Sequence, residues 1–247
     1  MLLRRVTNHV QSQNWFAVFI DFIIVVIGVF IGIQVANWSA IQNDKKDFAQ
    51  AIVRLNQEIA DNLRTINTVE PKSKSRNDDV NTAISAMLIC ENNNETMEKI
   101  NLGLNRLRGT TGLHLRTDAL EELTNSPRLL ALQNNKLRGR LKDMAFAFDL
   151  MRKDARFSEL QPLEANFIEN PIISVGELIS HIDKYHDINY TKPVRKLYIN
   201  SSVNEACENE RLLKSLNTWH LWQSNIPVYT RQTRAELNLT MELLETL

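Results

Sequence analysis

One ionisable residue stands where such groups are costly. Residues 16–36 read FAVFIDFIIVVIGVFIGIQVA, apolar but for Asp21 and Gln34. A carboxyl at membrane depth has two chemical uses. Desolvation can hold it neutral, hydrogen-bonded to a neighbouring helix, or it can carry a proton or cation when a partner admits water. The structural use is the favoured reading. Gly28 and Gly32 form a G-x-x-x-G, and Asp21, Gly28, Gly32 and Val35 step by seven, four and three along one helical stripe. A carboxyl and two small residues on one face predict close approach of a second helix.

Elsewhere the chain carries little that could do chemistry. The seven glycines make no G-x-G-x-x-G, P-loop or G-x-S-x-G. Residues 109–112, GTTG, could cradle an anion, but they lack a preceding strand and a nearby Lys. His181 and His186 are five apart, on poorly matched helix faces, and no H-E-x-x-H occurs. Asp78-Asp79 and Glu121-Glu122 belong to charged helical surfaces. Cys90 and Cys207 match no metal or redox spacing. They could pair in an oxidising compartment, although two lone cysteines in buried helices is the favoured reading. These residues predict no enzyme, no metal and no cofactor.

The element that must position Asp21 is a membrane helix. About 21 residues rise roughly 32 Å, the depth of a bilayer's hydrocarbon core. Asp costs about 2.5–3.5 kcal/mol at a helix centre, whereas about fifteen Leu, Ile, Phe and Val contribute roughly −5 to −9 kcal/mol. Insertion wins. Trp15 and Trp38 flank the segment as interfacial aromatics do. A cleaved signal peptide would have a shorter apolar core ending at small residues, but Asn37-Trp38-Ser39 follows here. Residues 1–14 carry Arg4 and Arg5 without an acid, so they are expected in the cytoplasm as a short tail. Residues 15–38 then cross a bacterial inner membrane once, leaving the C-terminal part in the periplasm. A formal net charge of +0 gives no nucleic-acid surface.

Beyond the membrane the apolar period becomes 3.5. Phe48, Ile52, Leu55, Ile59 and Ile66 form a seam with Asn62 at a core-type position. Residues 39–70 are therefore expected to be a long juxtamembrane helix ended by Pro71. It either packs into its own domain or forms a parallel coiled coil whose register Asn62 sets. Within residues 71–247, helical stripes recur at Val80, Ile84 and Met87, at Met97, Ile100, Leu104 and Leu107, and most cleanly at Leu137, Leu141, Met144, Phe148 and Met151. Thr117 is the expected N-cap of the helix carrying Leu120 and Leu123. Residues 175–185 are expected as a short helix and 190–200 as a connector. No stretch alternates convincingly with period two. The predicted fold is all-α: a transmembrane helix continuing into a long helix, with an antiparallel helical-bundle periplasmic domain.

Residues 19–38, FIDFIIVVIGVFIGIQVANW, resemble a family of uncharacterised bacterial single-pass membrane proteins with an acidic residue, an IVVIG-like core and a Q-x-x-N-W exit, here Gln34, Asn37 and Trp38. TDALEEL, NSPRLLAL and NNKLRGRL between Thr117 and Leu141 resemble that family's second signature, departing from its Ser-Gly at Ser126-Pro127. The resemblance implies an anchored helical ectodomain and no established activity. In layout, the chain also resembles stator-type subunits of ion-driven machines, whose periplasmic domains are mixed α/β. The expected function is a membrane-anchored, non-enzymatic scaffold that associates with itself or a protein partner. The alternatives are an ion-coupled accessory subunit, with Asp21 titrating, and a periplasmic sensor domain.

Overall fold

A computed structural model of the chain describes residues 15–164, 167–185 and 188–246. The expected tail, residues 1–14, lies outside the described residues. The chain is mostly α-helical, and one helix organises it. Helix α1, Trp15–Ile89, runs for 75 residues, about 112 Å at 1.5 Å per residue. Residues 22–41 of it expose every side chain, and the seam from Phe48 onward is where the rest of the chain docks.

Pro71 does not end α1; it lies inside it. A proline removes one bond to the carbonyl four residues back and crowds that turn, at about 3 kcal/mol. Here its ring is exposed, while the buried face continues through Ile66, Ser73, Asn77, Val80 and Ala83. Core burial on both sides outweighs one broken turn. The helix expected at Val80 to Met87 is therefore the far end of α1.

Two apolar cores are strung along α1. Leu55, Ile59 and Ile66 pack into the first with α3 (Asp118–Asn125), α4 (Pro127–Leu132), α5 (Asn135–Leu160) and α8 (Ile226–Leu244). Val80, Ala83 and Met87 pack into the second with α2 (Asn94–Arg106) and α7 (Glu210–Gln223). Helix α2 folds back along α1 so tightly that a Cβ at Gly103 would collide with Ala83. Asn93, Asn134 and Asn209 cap α2, α5 and α7 through side-chain bonds to backbone N–H groups.

The second core also receives a β-hairpin, which corrects the all-α expectation. Strands β1 (Ile173–Tyr185) and β2 (Ile188–Ile199) pair antiparallel, with Ile173 opposite Ile199 and Tyr185 opposite Ile188. The pairing slips between Val175 and Leu178, at Gly176. Leu197 and Ile199 anchor the base, whereas Val175, Leu178 and Ile182 are exposed. The strand has no single buried face, so no period-two alternation was available to announce it. His181 pairs opposite Lys192 in this hairpin, whereas the His181 side chain and His186 lie outside the described residues.

Cys90 and Cys207 form a disulfide, with Cα atoms 5.9 Å apart across 117 residues of sequence. They are not lone core cysteines. Cys90 follows α1 and Cys207 ends α6 (Val203–Cys207), so the far end of the long helix is tied to the connector after the hairpin. Cys90 holds φ 54°, the left-handed position after a helix that glycine usually takes.

Candidate functional site

Three places along α1 carry the residues whose chemistry stands out. In the membrane-type segment, Gly28 and Gly32 lie one turn apart with nothing of the chain within 4 Å of the position a Cβ would take. Gln34 is exposed, as are Phe22, Ile24 and Phe30 around the same segment. The backbone of Asp21 belongs to α1, but its side chain lies outside the described residues. Among the described residues, the apolar third of α1 thus leaves its side chains exposed, packed against no other element of its own chain.

The second place is a run of buried polar side chains. Asn62, 1% exposed, donates from Nδ2 to the Arg116 carbonyl at 2.9 Å and accepts the Arg116 N–H at 2.9 Å. It pairs with the backbone of the linker before α3, as a neighbouring strand would. Phe48 and Ile52 are half-buried against the first core, and Leu55, Ile59 and Ile66 lie within it. The 48–66 seam is therefore occupied by the chain's own helices. One turn earlier, Glu58 accepts the N–H groups of Ala119 at 2.7 Å and Leu120 at 3.2 Å. Glu58 supplies the cap expected from Thr117, whose hydroxyl bonds Glu121 instead. Burial pushes the Glu58 carboxyl above its usual range, outweighing both backbone donors.

Between the two cores, Gln223 at the end of α7 joins three segments. It accepts the Thr111 N–H at 2.6 Å, donates to the Ser158 carbonyl at 2.9 Å, and its own carbonyl accepts from Asn77 at 3.1 Å. The GTTG run is thereby held as a strap: Trp219 Nε1 donates to Gly109 O at 3.1 Å and Arg76 to Thr110 O at 3.1 Å. Its Thr111 N–H already serves Gln223.

The third place is a cleft of about 600 Å³ between α2 and β2. Asn105 donates to Leu197 O at 2.7 Å and accepts Leu197 N–H at 2.9 Å, while Asn101 accepts Ile199 N–H at 2.8 Å. Arg108 extends this row by donating to the Arg195 carbonyl. An asparagine ladder thus covers the base of an edge strand and fixes its distance from α2. Arg76, Arg106, Arg108, Lys192 and Lys196 line the cleft; Glu98 is the carboxylate beside them, and Asp79 pairs with Arg106 at 2.7 Å. Sequence reading missed this constellation because α2 and β2 are remote in sequence. Lys192, Val194 and Lys196, spaced by two, were its one local signal. Among the described residues, no group of three His, Cys, Asp or Glu converges as a metal site would require.

No protein family, curated protein or solved structure matches the chain.

Proposed function

We propose that this chain is a single-pass, membrane-anchored scaffold without catalytic activity, its helical domain acting as an interaction module outside the cytoplasm. The observation that carries this reading is the continuity of α1. Its first third is apolar and, among the described residues, fully exposed, and the same helix then supplies the spine of both cores. One rigid element therefore joins anchor and domain. The Cys90–Cys207 disulfide supports an oxidising compartment for the domain, such as the periplasm. Residues 1–14 then stay in the cytoplasm. The likeness to single-pass bacterial inner-membrane proteins points the same way.

Self-association belongs to the membrane face, because the 48–66 seam is filled from within the chain. Gly28 and Gly32 let a second helix approach, and Asp21 serves as a polar lock on their stripe. The position of Asp21 at membrane depth favours a second reading, an accessory subunit of an ion-driven complex in which Asp21 titrates.

Native mass of the complex extracted from host membranes tests both readings. A homo-oligomer that Gly28→Ile/Gly32→Ile converts to monomer supports the scaffold. A monomeric wild type sinks association through that face. A multi-spanning partner retained by Asp21→Asn, with cellular function lost, establishes the ion-coupled reading instead.

A further inference from the structure

The two apolar cores along α1 meet across a polar layer. Between Ile66 and Val80 the helix buries only Ser73 and Asn77. The chain crosses this level four times: in α1, in the strap between α2 and α3, at the end of α5, and between α7 and α8. Each crossing brings a buried polar residue, in turn Asn77, Thr111, Ser158 and Gln223, none more than 8% exposed. Gln223 bonds to the other three at 2.6–3.1 Å. Separating apolar surfaces costs free energy in proportion to their area, whereas separated hydrogen-bonding groups take water in exchange. Asn77 Oδ1 and Thr111 Oγ1 have no hydrogen-bond partner among the described residues, so hydration would relieve both. The layer therefore parts more readily than either core.

We propose that the domain is two lobes jointed at this layer, with Gln223 as the latch that holds them closed. The proximal lobe is built on the first core and the distal lobe on the second. Helix α1 is the pivot, because Pro71, beside the layer, lacks the N–H of one helical rung. On the membrane side of Pro71, Arg234 of α8 clamps α1, donating to Asn67 at 2.8 Å and to Glu70 at 2.6 Å. Bending is thereby confined to the stretch from Pro71 to Asn77. The Cys90–Cys207 disulfide joins two parts of the distal lobe and leaves the joint unrestrained. At the rim, Phe157 meets Trp222 edge to face with ring centroids 5.0 Å apart. Neither ring belongs to a core, so this contact gives way without opening one. Arg76 and Gly109 line the cleft between α2 and β2 and also anchor the strap. The joint and the cleft share a wall, and release of the latch reshapes the cleft.

The test is the distance between spin labels on the full chain in nanodiscs, diluted with unlabelled chain. Labels are placed at Lys142→Cys on α5 and Asn204→Cys on α6, both exposed, with the native disulfide left oxidised. Ile89 lies twelve residues beyond Asn77 on α1, about 18 Å, so a rotation of about 15° moves the distal label by about 5 Å. Gln223→Ala should enlarge a population shifted by about that amount, and Pro71→Ala in the same background should shrink it again. Pairs within one lobe, Lys142 with Glu242 and Glu98 with Asn204, should keep a single distance throughout. An inter-lobe distribution unchanged by Gln223→Ala overturns the proposal. So does equal broadening of the pairs within a lobe, which is unfolding and not hinging. Should Gln223→Ala fail to fold, wild type against Pro71→Ala decides: a narrower inter-lobe distribution in the variant supports the joint, and identical distributions overturn it. The measurement concerns a single copy, so failure of the scaffold reading leaves the joint standing.

Discussion

Replacing Asn62 separates two explanations of a polar residue in an apolar seam. If Asn62 set the register of a coiled coil between copies, Asn62→Leu would strengthen that coil at the cost of specificity. In the structure both side-chain groups of Asn62 are instead spent on Arg116, at 2.9 Å each. Asn62→Ala strands a backbone N–H and a carbonyl, each worth about 1–3 kcal/mol when buried. The linker is only partly buried, so water recovers some of this, and the expected loss is about 3 kcal/mol. For a domain of this size that lowers Tm by roughly 6–12 °C. Asn62→Leu strands the same groups and should also melt below wild type. The assay is thermal unfolding by circular dichroism of the detergent-solubilised full chain, with mass measured in parallel. A Leu variant that melts higher and doubles in mass would refute the intramolecular role.

Other expectations follow from neighbouring contacts. Because burial raises the folded pKa of Glu58, its contribution to stability is fully present below the ordinary glutamate range and is lost as pH rises through the folded value. The stability difference, wild type minus Glu58→Gln, should therefore fall with rising pH across that window; a rising difference would mean that the backbone donors prevail. Cys90→Ser/Cys207→Ser opens a loop spanning 117 residues, for which chain entropy gives a loss of about 3–5 kcal/mol; identical melting of oxidised and reduced wild type would contradict it. Gly103→Ala should cost about 1–3 kcal/mol through overpacking against Ala83, read by chemical denaturation. Thr111 Oγ1 is buried with no hydrogen-bond partner among the described residues, so Thr111→Val should stabilise by about 1 kcal/mol; a clear loss of stability would show that the hydroxyl is satisfied in solution.

The helical stripes were legible because each has a single buried face. Leu137, Leu141, Met144, Phe148 and Met151 all lie in the first core, as their spacing predicts. Pro71 misled because sequence shows the cost of a proline but not the tertiary burial on either side of it. The hairpin was illegible by alternation, since its outer half exposes Val175, Leu178 and Ile182. Its many β-branched and aromatic residues were the available signal. Nothing in the local sequence singles out Glu58, and only the docking of α3 onto α1 turns it into a cap. The basic cleft required two segments about ninety residues apart to meet, a proximity that local pattern does not encode.

The unbroken run of α1 gives the molecule a mechanical property. On the proposed reading, a helix that is both anchor and core is a lever with its fulcrum in the bilayer. Membrane helices tilt over a range of about 0–40°. A change of roughly 10° displaces a point about 60 Å out, the height of Arg76, by about 10 Å. Small reorientations of the anchor, from a partner helix or from bilayer thickness, thus arrive at the cleft as movements the length of a side chain or more. Pro71, the one weakened turn between fulcrum and tip, sets how much of that motion is transmitted and how much is lost to bending.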